Sequence, residues 1–251
     1  MIVFDIETGP LPDDQLWKMF KPPDAPPHPG EFDPSSVKVG HLRDESKIAA
    51  KIADAHSKHE QAVKDYERNC EEQQAEAWSS FCNSAALDAR TGQVLAIGYY
   101  SLENNKLLID SPEQHEDGEF SLLVNFWGQV ARMRESNRLM CGHNILDFDL
   151  PFLMRRSWIL DVTIPEGVRN GRYFDRMFSD TLDIWMCGQR QGSVKASLNA
   201  IATALGGNRK TEGVTGADFA RLWSENRELA IEYLTTDLHV TADVAIKLGV
   251  S

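Results

Sequence analysis

Residues 2–8 read Ile2-Val3-Phe4-Asp5-Ile6-Glu7-Thr8, an apolar run interrupted by two carboxylates two positions apart. The β-branched and aromatic residues predict a strand, and in a strand residues i and i+2 point to the same face. Asp5 and Glu7 therefore project together from a segment that otherwise reads as buried. Two like charges buried side by side are costly unless a cation neutralises them. Carboxylate oxygens are hard ligands suited to Mg²⁺ or Mn²⁺. Taken alone, the stretch also fits a strand whose carboxylates run out into solvent at its end.

Composition narrows the classes. A chain of 251 residues with 42% hydrophobic and 25% charged residues is ordinary for a soluble globular protein with a sizeable core. No apolar run approaches the ~20 residues of a membrane-spanning helix. With the first strand starting at residue 2, no signal peptide is expected. Cys70, Cys82, Cys141 and Cys187 form no CxxC pair, so they read as reduced thiols of a cytoplasmic protein. A net charge of −12 argues against broad electrostatic capture of nucleic acid. It leaves room for an enzyme that grips a short nucleic-acid end through bound cations.

After the first strand the pattern breaks. Eight of the chain's 11 prolines fall within residues 9–36, a density that excludes helix and predicts an extended surface excursion. Residues 44–81 then carry Ile48, Ile52, Ala55, His59, Ala62 and Tyr66 at helical spacing among Lys, Glu, Asp and Gln. One long helix or a helical hairpin follows, with Trp78 and Phe81 expected to dock its end onto the main body. His56 and His59 could share a metal, although a solvated face is the simpler reading. Residues 10–83 thus read as an insertion within a single domain spanning residues 1–251.

Beyond it, Gln93–Tyr100 and Lys106–Asp110 read as antiparallel strands. Phe120–Arg134 reads as an amphipathic helix with Phe120, Leu123, Val124, Trp127, Val130 and Ala131 inward. Arg138–Gly142 and Ser179–Trp185 read as short strands, with Asp180 and Asp183 capping or pairing. Residues 158–178, with Arg169, Arg172 and Arg176 after Arg155 and Arg156, form the most basic stretch. Their use is either to hold a phosphate backbone or to serve solubility and local ion pairs. Ser197–Leu205 and Asn226–Leu248 read as helices. The fold class expected is α/β: a mixed five- to six-stranded sheet flanked by helices, with a helical insertion after the first strand.

Two further acidic clusters stand beside Asp5 and Glu7. Residues 144–153 read Asn-Ile-Leu-Asp-Phe-Asp-Leu-Pro-Phe-Leu, with Asp149 at a helix start and Pro151 in its first turn. Either Asp147 or Asp149 could simply be a helix cap. Residues 233–237 read Tyr-Leu-Thr-Thr-Asp, and Tyr233 and Asp237, at i and i+4, share a helix face.

In this order, FDIET, NILDFDLPFL and YLTTD resemble the three motifs of the DEDDy 3′–5′ exonucleases of the ribonuclease H-like fold. The chain is similar, more narrowly, to exonucleases related to the proofreading domain of family B DNA polymerases. The histidine variant of the family needs four residues between His and Asp, whereas His239 and Asp243 have three between them. The resemblance spans most of the chain except residues 9–83. It implies that Asp5, Glu7, Asp149 and Asp237 hold two Mg²⁺ or Mn²⁺ ions and that Tyr233 orients or helps deprotonate the attacking water. Two such ions about 3.5–4 Å apart stabilise the entering and leaving oxygens of an in-line displacement. The implied substrate is the 3′ end of nucleic acid, single-stranded DNA first, released as nucleoside 5′-monophosphates. Thr8, Asn144, Phe148, Arg155, Arg172 and Lys210 are the expected substrate contacts. An exoribonuclease of the same superfamily and a silent end-binding or partner-binding module remain alternatives, with the 10–83 insertion as the partner surface.

Overall fold

The computed structural model describes residues 1–41, 43–171, 173–187, 196–207 and 216–250. The chain divides into two compact units, residues 1–16 with 83–251, and residues 17–82.

The first unit is built on the opening strand. β1 (Ile2–Pro10) is followed by α1 (Asp13–Met19), α2 (Glu45–Ala85), β2 (Gly92–Ser101), β3 (Lys106–Asp110), α3 (Glu119–Glu135), β4 (Met140–Gly142) and α4 (Asp149–Ile159). A two-stranded ribbon, β5 (Arg169–Asn170) and β6 (Tyr173–Phe174), precedes β7 (Phe178–Asp180). Then come α5 (Thr181–Trp185), α6 (Leu198–Ala204), α7 (Phe219–Glu225) and α8 (Arg227–Lys247). The main sheet has five strands in the order β3-β2-β1-β4-β7. β1, β2 and β3 pair antiparallel, and β4 and β7 join parallel to β1. The mixed sheet flanked by helices is the architecture expected from the sequence.

β1 is central and sorts its side chains between two layers. Phe4 and Ile6 pack with α3 and α4 in one core, while Val3 packs with α7 and α8 in the other. By strand alternation Asp5 and Glu7 share the α7/α8 side with Val3. The register with β2 shifts between Glu7 and Thr8, a bulge. Bulges re-aim side chains next to functional sites.

Several expectations are corrected. Residues 13–19 are helical despite the surrounding prolines, because Pro12 and Pro22 bracket a proline-free window. Asp13 and Asp14 sit in its first turn, where the helix dipole favours acids. In α3 the buried face is Leu122, Leu123, Phe126, Trp127, Val130 and Met133, while Phe120 and Val124 are exposed. The stripe is rotated by about a residue because Phe126 and Met133 fill the core. The segment expected as a strand over 179–185 is β7 followed at once by α5. Asp180 ends the strand by capping the helix, accepting from Leu182 N at 2.8 Å and Asp183 N at 3.3 Å. The last strand of the first half begins at Met140, not Arg138.

The second unit holds most of the 41-residue α2, and no α2 residue within the unit is buried. Its length is about 60 Å at 1.5 Å per residue. Pairs such as Lys58–Asp54 at 2.7 Å and Arg68–Asp65 at 2.8 Å lace its surface. The proline-rich segment runs antiparallel along it. Trp17 and Phe20 stack on Trp78, His28 on Tyr66, and Phe32 on His56 and His59. Trp78 and Phe81 pack against this strap within the unit. Their partners lie some 60 residues upstream, beyond any local pattern.

Candidate metal centre

β1, α4 and α8 deliver the four carboxylates expected from the sequence. Asp5 and Glu7 leave β1 on one face, and Asp237 comes from the middle of α8, whose turns around it are packed by Leu234, Leu238 and Thr241. One carboxylate oxygen each of Asp5, Glu7 and Asp237 lies within 4.8 Å of the others. Glu7 and Asp237 are buried and Asp5 is half-buried.

Asp149 stands outside that group of three but is tied to it. Its Oδ1 accepts from the backbone N–H of Ile6, between Asp5 and Glu7, at 3.1 Å. β4 pairs with β1 only at Ile2 and Val3, so past that point the Asp149 carboxylate takes an amide that a longer β4 would have claimed. Burial, then the Asp5 charge, pushes the Asp149 carboxyl well above the usual range; the Ile6 amide works against this. Tyr233 lies one turn before Asp237. Its phenol is pushed up by burial, then by the charges of Asp237, Glu7 and Asp5, and it hydrogen-bonds Asp237. The hydroxyl is thus held in its neutral form at the edge of the acidic cluster.

The donor set fits a hard divalent cation. It is all oxygen, drawn from three elements, and crowded with like charge that an ion would relieve.

A fifth carboxylate, which sequence reading left as capping or pairing, fixes the loop before Asp149. Asp180 is buried and accepts from Asn144 N through Oδ1 and from Leu146 N through Oδ2, both at 3.0 Å. Asn144 needs that support, since its φ is +62°. The available signal was weak: a lone Asp before Thr-Leu marks a cap, but its grip on a loop 36 residues away has no local signature. Neither Asp147 nor Asp149 caps α4, whose N-cap position is Phe148 without a side-chain bond.

Of the expected substrate contacts, Asn144, Thr8, Phe148 and Arg155 are among the described residues. Thr8 is buried, and its hydroxyl donates to Ala86 O at 2.7 Å. Phe148 packs on Phe152, with ring centroids 5.7 Å apart. Arg155 is exposed on α4. Arg172 and Lys210 lie outside the described residues. Arg156, one of the arginines read from sequence as serving either a phosphate backbone or local ion pairs, is a buried residue that makes an ion pair. Its Nη2 meets Glu119 Oε2 at 2.6 Å and its Nη1 donates to Ala89 O.

Comparison with known proteins gives the family and the fold. The model of the RNase H superfamily family RNase_H_2 matches residues 84–243. The chain belongs to the RNase H superfamily. Members of that superfamily are typically nucleases, and these use divalent metals. Among solved structures, the family B DNA polymerase from the hyperthermophilic archaeon Pyrobaculum calidifontis is similar at 16% identity with a TM-score of 0.52. That alignment covers 66% of this chain and 23% of the polymerase, so the likeness is one of fold. No curated protein sequence matches. Among the described residues, no helix is long and apolar enough to cross a membrane.

Proposed function

We propose that this RNase H superfamily protein is a DEDDy-type 3′–5′ exonuclease acting on single-stranded 3′ ends of DNA. The observation that carries the reading is the convergence of Asp5, Glu7 and Asp237 within 4.8 Å, with Tyr233 bonded to Asp237 at its edge. Two Mg²⁺ or Mn²⁺ ions, held by these acids with Asp149, would lower the pKa of the attacking water and stabilise the leaving 3′ oxyanion. The Tyr233 hydroxyl orients that water from its bond to Asp237. Asp149, held by the Ile6 amide, keeps one oxygen for a cation. Asn144, Phe148, Thr8 and Arg155, with Arg172 and Lys210, would line the path of the terminal nucleotides. Burial of the acids keeps bulk water from competing for the cations. Residues 10–83 are an insertion in this single exonuclease domain and its partner surface, and the protein works in the cytoplasm.

The test is degradation of a 3′-labelled single-stranded oligonucleotide with Mg²⁺ or Mn²⁺. Mononucleotide release from the 3′ end, lost in Asp5→Ala and Asp237→Ala, is the expected result. Intact substrate with the wild type, or undiminished release by Asp5→Ala, overturns the proposal. A matched RNA oligonucleotide in parallel decides between DNA and RNA as substrate.

A further inference from the structure

On the opposite face of β1 from the acidic pair, a cavity of about 470 Å³ opens between α3 and the β2–β3 hairpin. Its volume lies within the range of small-molecule sites. Ile2, Tyr99 and Leu108 give it an apolar wall, and Lys106, Arg132 and Arg138 line it with positive charge. In a chain of net charge −12, three convergent cations are a local inversion. Two of them are uncompensated: among the described residues, no carboxylate pairs with Lys106 or Arg132, and Arg132 turns its fork on the neutral Gln129 Oε1 at 2.8 Å. Arg138 pairs through one nitrogen with Glu103. Its Nε is buried and finds no hydrogen-bond acceptor among the described residues, a costly state that a bound acceptor would relieve. The lining carboxylate, Asp110, is engaged by His115 Nε2 at 2.6 Å. Asn125 and Gln129 add amides able to meet the heteroatoms of a ring.

We infer that this cavity is a second binding site, distinct from the acidic cluster, for a small organic phosphate with an aromatic body. The ring would lie along Tyr99 and Leu108, and the phosphate would take the guanidinium groups of Arg132 and Arg138, whose planar forks suit phosphate oxygens. A mononucleotide has this chemistry and size. The inference does not rest on the nuclease reading, since it uses none of the same residues.

Calorimetric titration of the full chain in EDTA with AMP, adenosine and inorganic phosphate tests it. AMP should bind one to one, and adenosine and phosphate at least tenfold more weakly. Arg132→Met and Lys106→Met should each weaken AMP at least fivefold while Asp237→Ala leaves it unchanged. Lys106 and Arg132 are both exposed, and the two independent substitutions keep the test valid should either variant misfold. No saturable AMP binding, equal affinity for adenosine, or binding abolished by Asp237→Ala but kept by Lys106→Met overturns the inference.

Discussion

Glu119 and the Asp5, Glu7 and Asp237 cluster sit on opposite sides of the same sheet and are satisfied in opposite ways. On the α3/α4 side, Glu119 is met from within the chain. Arg156 forks onto both its oxygens, at 3.0 and 2.6 Å, and Val94 N donates to it at 2.8 Å. On the α7/α8 side, Asp5, Glu7 and Asp237 face one another, and Asp149 is held partly by an amide. The first arrangement is complete as folded. The second concentrates negative charge that an external cation would relieve. The difference separates a carboxylate neutralised within the chain from carboxylates that crowd one another.

Breaking the internal pair should have the largest effect. Arg156→Ala leaves Glu119 buried without its counter-ion and should cost about 3–5 kcal/mol, read by urea unfolding. A loss below about 1 kcal/mol would remove the contrast. The acidic cluster should respond to metal instead. At Mg²⁺ or Mn²⁺ a hundredfold above Kd, wild-type stability should rise by about 2.7 kcal/mol. For a chain of this size that is roughly 5–10 °C in Tm. Asp237→Asn should lose this gain, yet in EDTA it should be more stable than wild type because a like charge has gone. If EDTA and Mg²⁺ give the same Tm in the wild type, the cluster is not a metal centre.

Asp180 is a third solution, a buried acid satisfied by backbone amides. Asp180→Ala removes a helix cap and two loop anchors and should cost about 2 kcal/mol. It should also slow nuclease turnover by releasing the loop before Asp149, whereas removing a cap alone would change only stability.

The sequence exposed the parts of this scheme that obey a local period. Asp5 and Glu7 were legible because strand alternation puts i and i+2 together, and Tyr233 and Asp237 because a helix does so at i and i+4. The sheet and the long α2 helix followed from the same two periods. What stayed hidden depends on contacts across the chain. Arg156 looked like one more surface arginine until Glu119, 37 positions away, claimed it. Residues 179–185 carry an apolar pattern too short to separate strand from helix, and the decision fell to Asp180 as a cap. The docking of Trp78 on Trp17 and Phe20 depends on an irregular strap that has no period to read.

The smallest effect should come from the exposed counterpart of the Glu119 pair. Glu113 accepts from Arg227 Nη1 and Nη2 and from Trp223 Nε1, each at 3.1 Å, and thereby joins the turn after β3 to α7 and α8. Arg227 also stacks over the Trp223 ring at 3.6 Å. Partial burial works against the Glu113 charge, but Arg227, Ser111 and Trp223 outweigh it and hold the carboxyl down at about 2. A depressed folded-state pKa contributes stability above the unfolded value, near 4.5, and that contribution fades as pH falls toward 2. Glu113→Gln should therefore be less stable than wild type at pH 7, by about 1 kcal/mol or less since the pair is half exposed. The two proteins should converge between pH 4.5 and 2 in paired urea titrations. A pH-independent gap would mean that Glu113 acts through shape and hydrogen bonding rather than charge. High salt should shrink the Glu113 effect while leaving the buried Arg156 effect nearly intact, so the two ion pairs are told apart by screening as well as by size.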